Sequence, residues 1–410
     1  MMTEKRQKIS ENGENGSGTH VKGEKELELY VHIPFCARKC AYCDFLSGPT
    51  DEETRKAYVR ALETEIRGKK EEYKEYCVST VFVGGGTPSI LDGDDTARIF
   101  AALYESFRIR DDAEITMEVN PGTVTEEKLA VWKEVGVNRL SIGLQSADDR
   151  ELRLLGRIHT YKEFLETYEQ ARRAGFQNIN IDLISAIPGQ TVHSWETTLT
   201  KTADLGPEHI SAYSLIVEEG TPFYDRYGHQ NNDGNAWPPL PDEDEERRIY
   251  KRTKSFLEER GYRRYEISNY ARPGYECRHN LGYWDRKEYL GLGLGASSLV
   301  NSRRFHNTAD IDIYMKAFRT ERSDINIYED VEKLSIQDCM EEFMFLGLRK
   351  TDGISRTDFA HAFHSDINEI YGLQLKKLEK EGLILLNGER ILLTERGTDV
   401  SNLVFVEFMF

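Results

Sequence analysis

From residue 29 onward, short runs of β-branched and other apolar residues recur along the chain: LYVHIP (29–34), STVFVGGG (79–86), EITMEV (114–119), RLSIGLQ (139–145), NINIDLISAIPG (178–189) and HISAYSLIVE (209–218). Short apolar runs of this composition predict six strands. Between them, apolar positions return every three or four residues: Tyr58, Leu62 and Ile66; Ile99, Leu103 and Phe107; Leu129, Trp132 and Val135; Phe164, Tyr168 and Ala171; Trp195, Leu199 and Ala203. That spacing lines one face of a helix, so a helix is predicted between each pair of strands. The alternation implies an α/β fold with a parallel sheet and helices packed outside it, as a full or partial barrel or a doubly wound sheet. In either arrangement chemistry gathers at the C-terminal ends of the strands.

The polar, proline-containing segment 228–246 reads as a loop, and ERRIYKRTKSFLEERG (246–261) as a helix ending at Gly261. From about residue 330 the pattern turns helical, in DCMEEFMFLGL (338–348) and EIYGLQLKKLEKEG (369–382). Two short apolar runs then flank Asn387-Gly388. Helices followed by an Asn-Gly hairpin predict a small winged-helix-like α+β unit. The expected organisation is a disordered polar tail over 1–24, a barrel over 25–240, a barrel-completing and linking region over 241–325, and the winged-helix-like unit over 326–410.

Composition narrows the function classes. A net charge of -17 repels phosphate backbones, so nucleic acid is not an expected partner, and the winged-helix-like unit reads as a packing or partner-contact element. No stretch reaches the roughly 18 apolar residues that a spanning helix needs, and the first 24 residues carry no apolar signal-peptide core. Three of the six cysteines crowd into HIPFCARKCAYCDF (32–45), while Cys77, Cys277 and Cys339 are scattered. A secreted disulfide framework is not written this way, and a reducing cytoplasm is the expected setting.

Cys36, Cys40 and Cys43 follow the first predicted strand at C-x3-C-x2-C spacing. A structural zinc site usually closes with four protein ligands, commonly in two separated pairs, and no partner pair is evident. Three thiolates on one loop can instead hold three irons of a [4Fe-4S] cube and leave the fourth open to a ligand. The segment GGGTPS (84–89) lets a ligand approach the main chain closely.

The cysteine spacing in its setting YVHIPFCxxxCxYCDF resembles the radical S-adenosylmethionine (SAM) superfamily. Within it, the chain resembles the branch holding the oxygen-independent coproporphyrinogen III oxidases and the HemW-type heme chaperones. The resemblance implies a partial (β/α)6 barrel, a [4Fe-4S] cluster on Cys36, Cys40 and Cys43, and SAM chelating the open iron. It further implies that Gly85, Gly86 and Thr87, with Glu118, Gln145, Arg157 and Asp182, contact SAM, and that Tyr30 is the cluster-side tyrosine.

Two departures separate the chain from the oxidases. They carry a further cysteine two positions after the third ligand, where this chain has Phe45, and a longer N-terminal segment before the cluster loop. The motif H-N-x-x-Y-W, here His279, Asn280, Tyr283 and Trp284, resembles the chaperone signature instead. An imidazole commonly ligates heme iron, so His279 is a candidate heme ligand. The resemblance thus implies a chaperone that binds heme and passes it to acceptor proteins, with membrane-bound respiratory enzymes as a candidate class. Oxidative decarboxylation of coproporphyrinogen is the alternative.

Overall fold

A computed structural model describes residues 25–228, 237–319 and 325–409. The polar tail expected over 1–24 and residues 229–236 of the expected loop lie outside the described residues. The predicted strands are present as β1 (Lys25–Ile33), β2 (Tyr76–Gly85), β3 (Arg108–Val119), β4 (Arg139–Gln145), β5 (Ile179–Ser185) and β6 (His209–Ser214). They pair in parallel in chain order, β1 with β2 through to β5 with β6. The helices between them include Glu52–Gly68, Gly93–Ser106, Glu126–Glu134, Tyr161–Arg173 and Val192–Ala203. Phe107 and Val135, expected within helices, fall just past their ends as C-caps.

Alternation along β1 explains how this sheet works. Leu27, Leu29, Val31 and Ile33 face outward into a core shared with Leu62, Ile66, Leu103 and Trp132. Glu28, Tyr30 and His32 face the other way, into the barrel. The interior face is therefore polar on several strands, with Thr80, Glu114, Arg139, Ser141, Asn180 and His209 all buried.

The six-strand barrel is extended at both edges into a twelve-stranded sheet. Beyond β6 lie β7 (Arg263–Arg264) and β8 (Asn269–Ala271), both in antiparallel pairing; beyond β1 lies β9 (Tyr289–Leu292), parallel to it. Then β10 (Ser297–Val300), β11 (Arg303–Asn307) and β12 (Tyr328–Lys333) continue antiparallel. These strands are short, and the apolar pattern did not announce them.

The C-terminal residues form the expected winged-helix-like unit. Helices Ile336–Gly347, Arg356–Phe363 and Ile367–Lys380 pack with β13 (Ile354–Ser355), β14 (Ile384–Asn387) and β15 (Arg390–Leu393) around Met344, Phe359, Tyr371 and Ile391. Asn387 remains in strand pairing with Arg390, so Gly388 at φ 54° takes the first turn position. Leu299 of β10 joins this second core and seats the unit against the sheet edge. Among the described residues no helix is long and apolar enough to cross a membrane.

Candidate functional site

The loop after β1 carries the three cysteines across the barrel mouth. Its return is fixed by main-chain bonds, Cys36 N–H to the Gly48 carbonyl and Gly48 N–H to the Pro34 carbonyl, both at 3.0 Å. Ala41 N–H reaches the Leu155 carbonyl, and Phe223 N–H reaches that of Ala41. Cys36, Cys40 and Cys43 are partly exposed and form no disulfide. Burial pushes the Cys43 thiol above its ordinary value.

The glycine run holds this loop. Gly86 N–H donates to Ile33 at 2.8 Å and Thr87 N–H to Phe35 at 2.7 Å, while Gly85 N–H donates to Glu118 Oε2 at 3.0 Å. These three donors are thus committed within the protein, and what the run presents to a ligand is close backbone. A β-carbon on Gly86 would lie 2.7 Å from the Phe35 carbonyl oxygen, and one on Gly85, at φ +107°, would meet the His32 ring. Thr87 Oγ1 then donates to Cys36 Sγ at 3.4 Å and accepts from Asn120 Nδ2 at 2.7 Å. Arg157 joins the same web, donating to Asn120 Oδ1 (2.6 Å), the Gly143 carbonyl (2.9 Å) and Cys40 Sγ (3.7 Å).

Below the loop is a cavity of about 510 Å³. It brings together Cys36, Cys40, Cys43, Gly85, Gly86, Thr87, Glu118, Gln145, Arg157 and Asp182 from strand ends far apart in sequence. Burial, reinforced by the nearby Asp182 charge, pushes the Glu118 carboxyl up to about 8. Burial also raises Asp182, whose carboxylate accepts from Ser141 Oγ at 2.9 Å and Asn180 Nδ2 at 2.8 Å. Gln145 ends β4 at φ 70°, a left-handed conformation rare for a residue with a side chain and frequent at functional sites.

Two expected site residues lie elsewhere. Tyr30 is inside the barrel beneath the loop: its hydroxyl bonds His32 Nδ1 at 3.0 Å, and His32 Nε2 bonds the Leu46 carbonyl at 2.9 Å. It reaches the cysteine loop through His32. His279 is 2 % exposed and absent from the cavity wall. Its Nδ1 bonds Thr80 Oγ1 (2.7 Å), its Nε2 bonds Tyr283 Oη (3.1 Å), and its ring stacks on Phe82. Both ring nitrogens are engaged within the protein, so His279 stands in this structure as a buried, doubly bonded imidazole away from the cavity. Sequence reading missed Asn120, His32 and Ser141, each bonded directly to a predicted residue. Asn120 stands in the MEVNPG segment that supplied Glu118, which was the available signal.

The donor set fits a cluster. Among the described residues, no three His, Cys, Asp or Glu side chains converge to hold a single ion. Three thiols spread over one loop suit a cube in which each thiolate takes a separate iron. Residues 30–201 match the Radical SAM superfamily, and residues 334–400 match the HemN C-terminal domain. The chain is 36 % identical over 386 residues to the heme chaperone HemW of Lactococcus lactis, covering 94 % of this chain and 98 % of that one. The chain belongs to the HemW family. HemW of Bacillus subtilis is likewise 36 % identical, over 93 % of this chain and 98 % of its own. Among solved structures, the radical SAM enzyme coproporphyrinogen III oxidase (HemN) of Escherichia coli superposes with a TM-score of 0.80 at 26 % identity, over 94 % of this chain and 90 % of that one. Membership of the HemW family, within the radical SAM superfamily, implies a [4Fe-4S] cluster and SAM.

Proposed function

We propose that this protein holds a [4Fe-4S] cluster on Cys36, Cys40 and Cys43, binds SAM in the mouth cavity, and binds heme for delivery to acceptor proteins. The observation that carries the heme part is the likeness over nearly their whole length to relatives named heme chaperones. The character of the mouth supports it. Phe45 occupies the position where the oxidases carry a further thiol, lines the cavity and is 63 % exposed, with Tyr213 and Ile216 exposed beside it. Exposed apolar surface rimming a cavity suits an apolar macrocycle that must enter and leave. A reducing, cytoplasmic setting accords with the unpaired cysteines.

Within this reading each cavity residue has a task its chemistry supports. Glu118 and Asp182 are acceptors for the amino or hydroxyl groups of SAM, and Arg157 steadies the cluster loop while its positive charge faces the carboxylate end. The shared fold with HemN favours one second reading, oxidative decarboxylation of coproporphyrinogen. Anaerobic reconstitution followed by parallel assays decides between them. Stoichiometric heme binding with transfer to an apo-acceptor, and no porphyrinogen turnover, is the expected result; robust turnover without heme transfer would reverse the assignment. A colourless preparation with stoichiometric zinc would sink both.

A further inference from the structure

The short helix Arg278–Trp284 carries the H-N-x-x-Y-W motif, to which the function proposed above gives no task. Its first turn sits on one carboxylate from the barrel interior. Glu114 of β3 accepts from Cys277 Sγ (3.5 Å), Arg278 N–H (3.1 Å) and His279 N–H (3.1 Å). One turn later Gly282 lies against Glu28 of β1, where a β-carbon would fall 1.9 Å from Glu28 Oε1. Glu28 is fully buried, and neither carboxyl oxygen has a hydrogen-bond partner. Burial pushes it up to about 9, so it sits protonated and neutral at neutral pH. The helix is thus keyed into the barrel between two strands, with its closest approach at Gly282 against the buried Glu28 carboxyl.

A line of hydrogen bonds leads from this helix to the cofactor cavity, and its direction can be assigned. Cys277 N–H donates to Tyr265 Oη at 3.3 Å, so the Tyr265 hydroxyl is free to donate to His209 Nε2 at 2.8 Å. His209 is fully buried, and burial holds its pKa far below the ordinary value, so it is neutral and carries its one proton on Nδ1. That proton goes to Asn180 Oδ1 at 2.7 Å. The Asn180 amide then donates to Asp182 Oδ1 at 2.8 Å and to Ser141 Oγ at 2.7 Å, and Ser141 donates to Asp182 Oδ2 at 2.9 Å. Every donor finds one acceptor, and the line ends on both oxygens of the carboxylate at the cavity floor. Bonds aligned in one direction polarise one another and hold their last member in a fixed orientation.

We propose that the H-N-x-x-Y-W helix is a positioning plug: it closes the inner end of the barrel and, through Tyr265, His209 and Asn180, fixes the Asp182 carboxylate for SAM. Tyr265, His209 and Asn180 do not line the cavity, so each acts through Asp182. The inference rests on the reading of the mouth cavity as the SAM site.

The test uses the full chain, reconstituted anaerobically, with SAM affinity measured by equilibrium dialysis alongside iron content and melting temperature. Tyr265→Phe keeps the ring packed on His209 and removes only the hydroxyl in the middle of the line. It should weaken SAM binding about fivefold, the scale of one lost buried hydrogen bond, at unchanged iron content. Gly282→Ala, which must shift the helix or turn the buried Glu28 carboxyl beneath it, should weaken it further, and Asp182→Asn should do so by removing the end of the line itself. A residue that only packs would lower the melting temperature and leave the dissociation constant alone. Wild-type affinity in both Tyr265→Phe and Gly282→Ala would overturn the inference while leaving the cavity assignment standing. Should Gly282→Ala not fold, Tyr265→Phe alone decides. Absence of SAM binding by the wild-type chain would overturn the cavity reading and this inference with it.

Discussion

The guanidinium of Arg157 reaches Cys40 Sγ at 3.7 Å across 117 residues of sequence. Through Asn120 and Thr87 the same guanidinium is linked to Cys36, so one cation ties two of the loop's three cysteines to the ends of β2, β3 and β4. Lysine in place of Arg157 would keep the charge and lose the planar fork that reaches three acceptors together. Arg157→Lys should therefore lower both iron loading and SAM affinity, and Arg157→Ala should lower them about tenfold or more, the scale of one or two charge-assisted bonds. Iron content and dissociation constants unchanged in both variants would remove Arg157 from the site.

Cys36, Cys40 and Cys43 line the mouth, whereas Cys77 is buried, Cys277 is bonded to Glu114, and Cys339 accepts from Arg286. Alanine at any one of the first three should abolish stable cluster loading, because three thiolates are the set this open-iron arrangement uses. Cys77→Ala should retain the iron content and the visible absorption of the wild type. Full loading in Cys36→Ala, with an unchanged spectrum, would contradict the assignment.

How much of this was legible beforehand depended on length and repetition. The six parallel strands were found because each carries a short run rich in β-branched and apolar residues, and the runs alternate with stretches of helical period. The site residues at their ends were legible because they stand in short motifs, and the cavity gathers ten of the twelve named. The surroundings of His279 were not legible for a physical reason: a histidine among aromatics carries the same sequence signal whether it awaits a metal or satisfies both nitrogens inside a core. The interior polar layer was invisible, since Thr80, Glu114 and His209 read as ordinary alternation until the barrel curls their side chains inward. Strands β7 to β12 have at most six residues each, too few for a period to register.

The raised carboxyls predict a pH dependence of stability. Burial lifts Glu118 to about 8 and Glu28 to about 9, against an ordinary value of 4.5. Between these limits the folded chain holds protons that the unfolded chain has released, so the free energy of unfolding falls as pH rises through the window. The contribution is fully present below about 4.5 and lost once both groups ionise in the folded state. Glu118→Gln cannot ionise, so it should gain on the wild type as pH rises from about 5 to about 9. Urea midpoints at several pH values measure this, and a constant difference between the two proteins would contradict it.

Replacing His279 should act on stability rather than on a heme ligand. Its ring bonds Thr80 and Tyr283 and stacks on Phe82 with 2 % of its surface exposed. His279→Ala should cost about 2–4 kcal/mol, the range for a large buried side chain that leaves a cavity and unpaired partners. Where heme binds the wild type, the position of its Soret band should be unchanged in the variant. A Soret shift in a folded His279→Ala protein would restore the imidazole as a ligand.

Gly86 offers the sharpest test of how the cysteine loop is held. A β-carbon there would lie 2.7 Å from the Phe35 carbonyl oxygen and 2.9 Å from both the Ile33 oxygen and the Phe35 nitrogen. All three are backbone atoms, so no side chain can swing away, and the chain just before Cys36 must move. Gly84 differs: its nearest neighbour is the carboxylate end of Glu118 at 2.9 Å, which can rotate. Alanine at 86 would also strain the bonds from Gly86 to Ile33 and from Thr87 to Phe35 that continue β2 alongside the loop. Gly86→Ala should therefore bind iron less completely and lose its cluster faster in air than Gly84→Ala, which should mainly perturb Glu118. The rate of bleaching of the cluster absorbance after exposure to oxygen reads this directly. Equal rates for the two variants and the wild type would show that the loop does not depend on this contact.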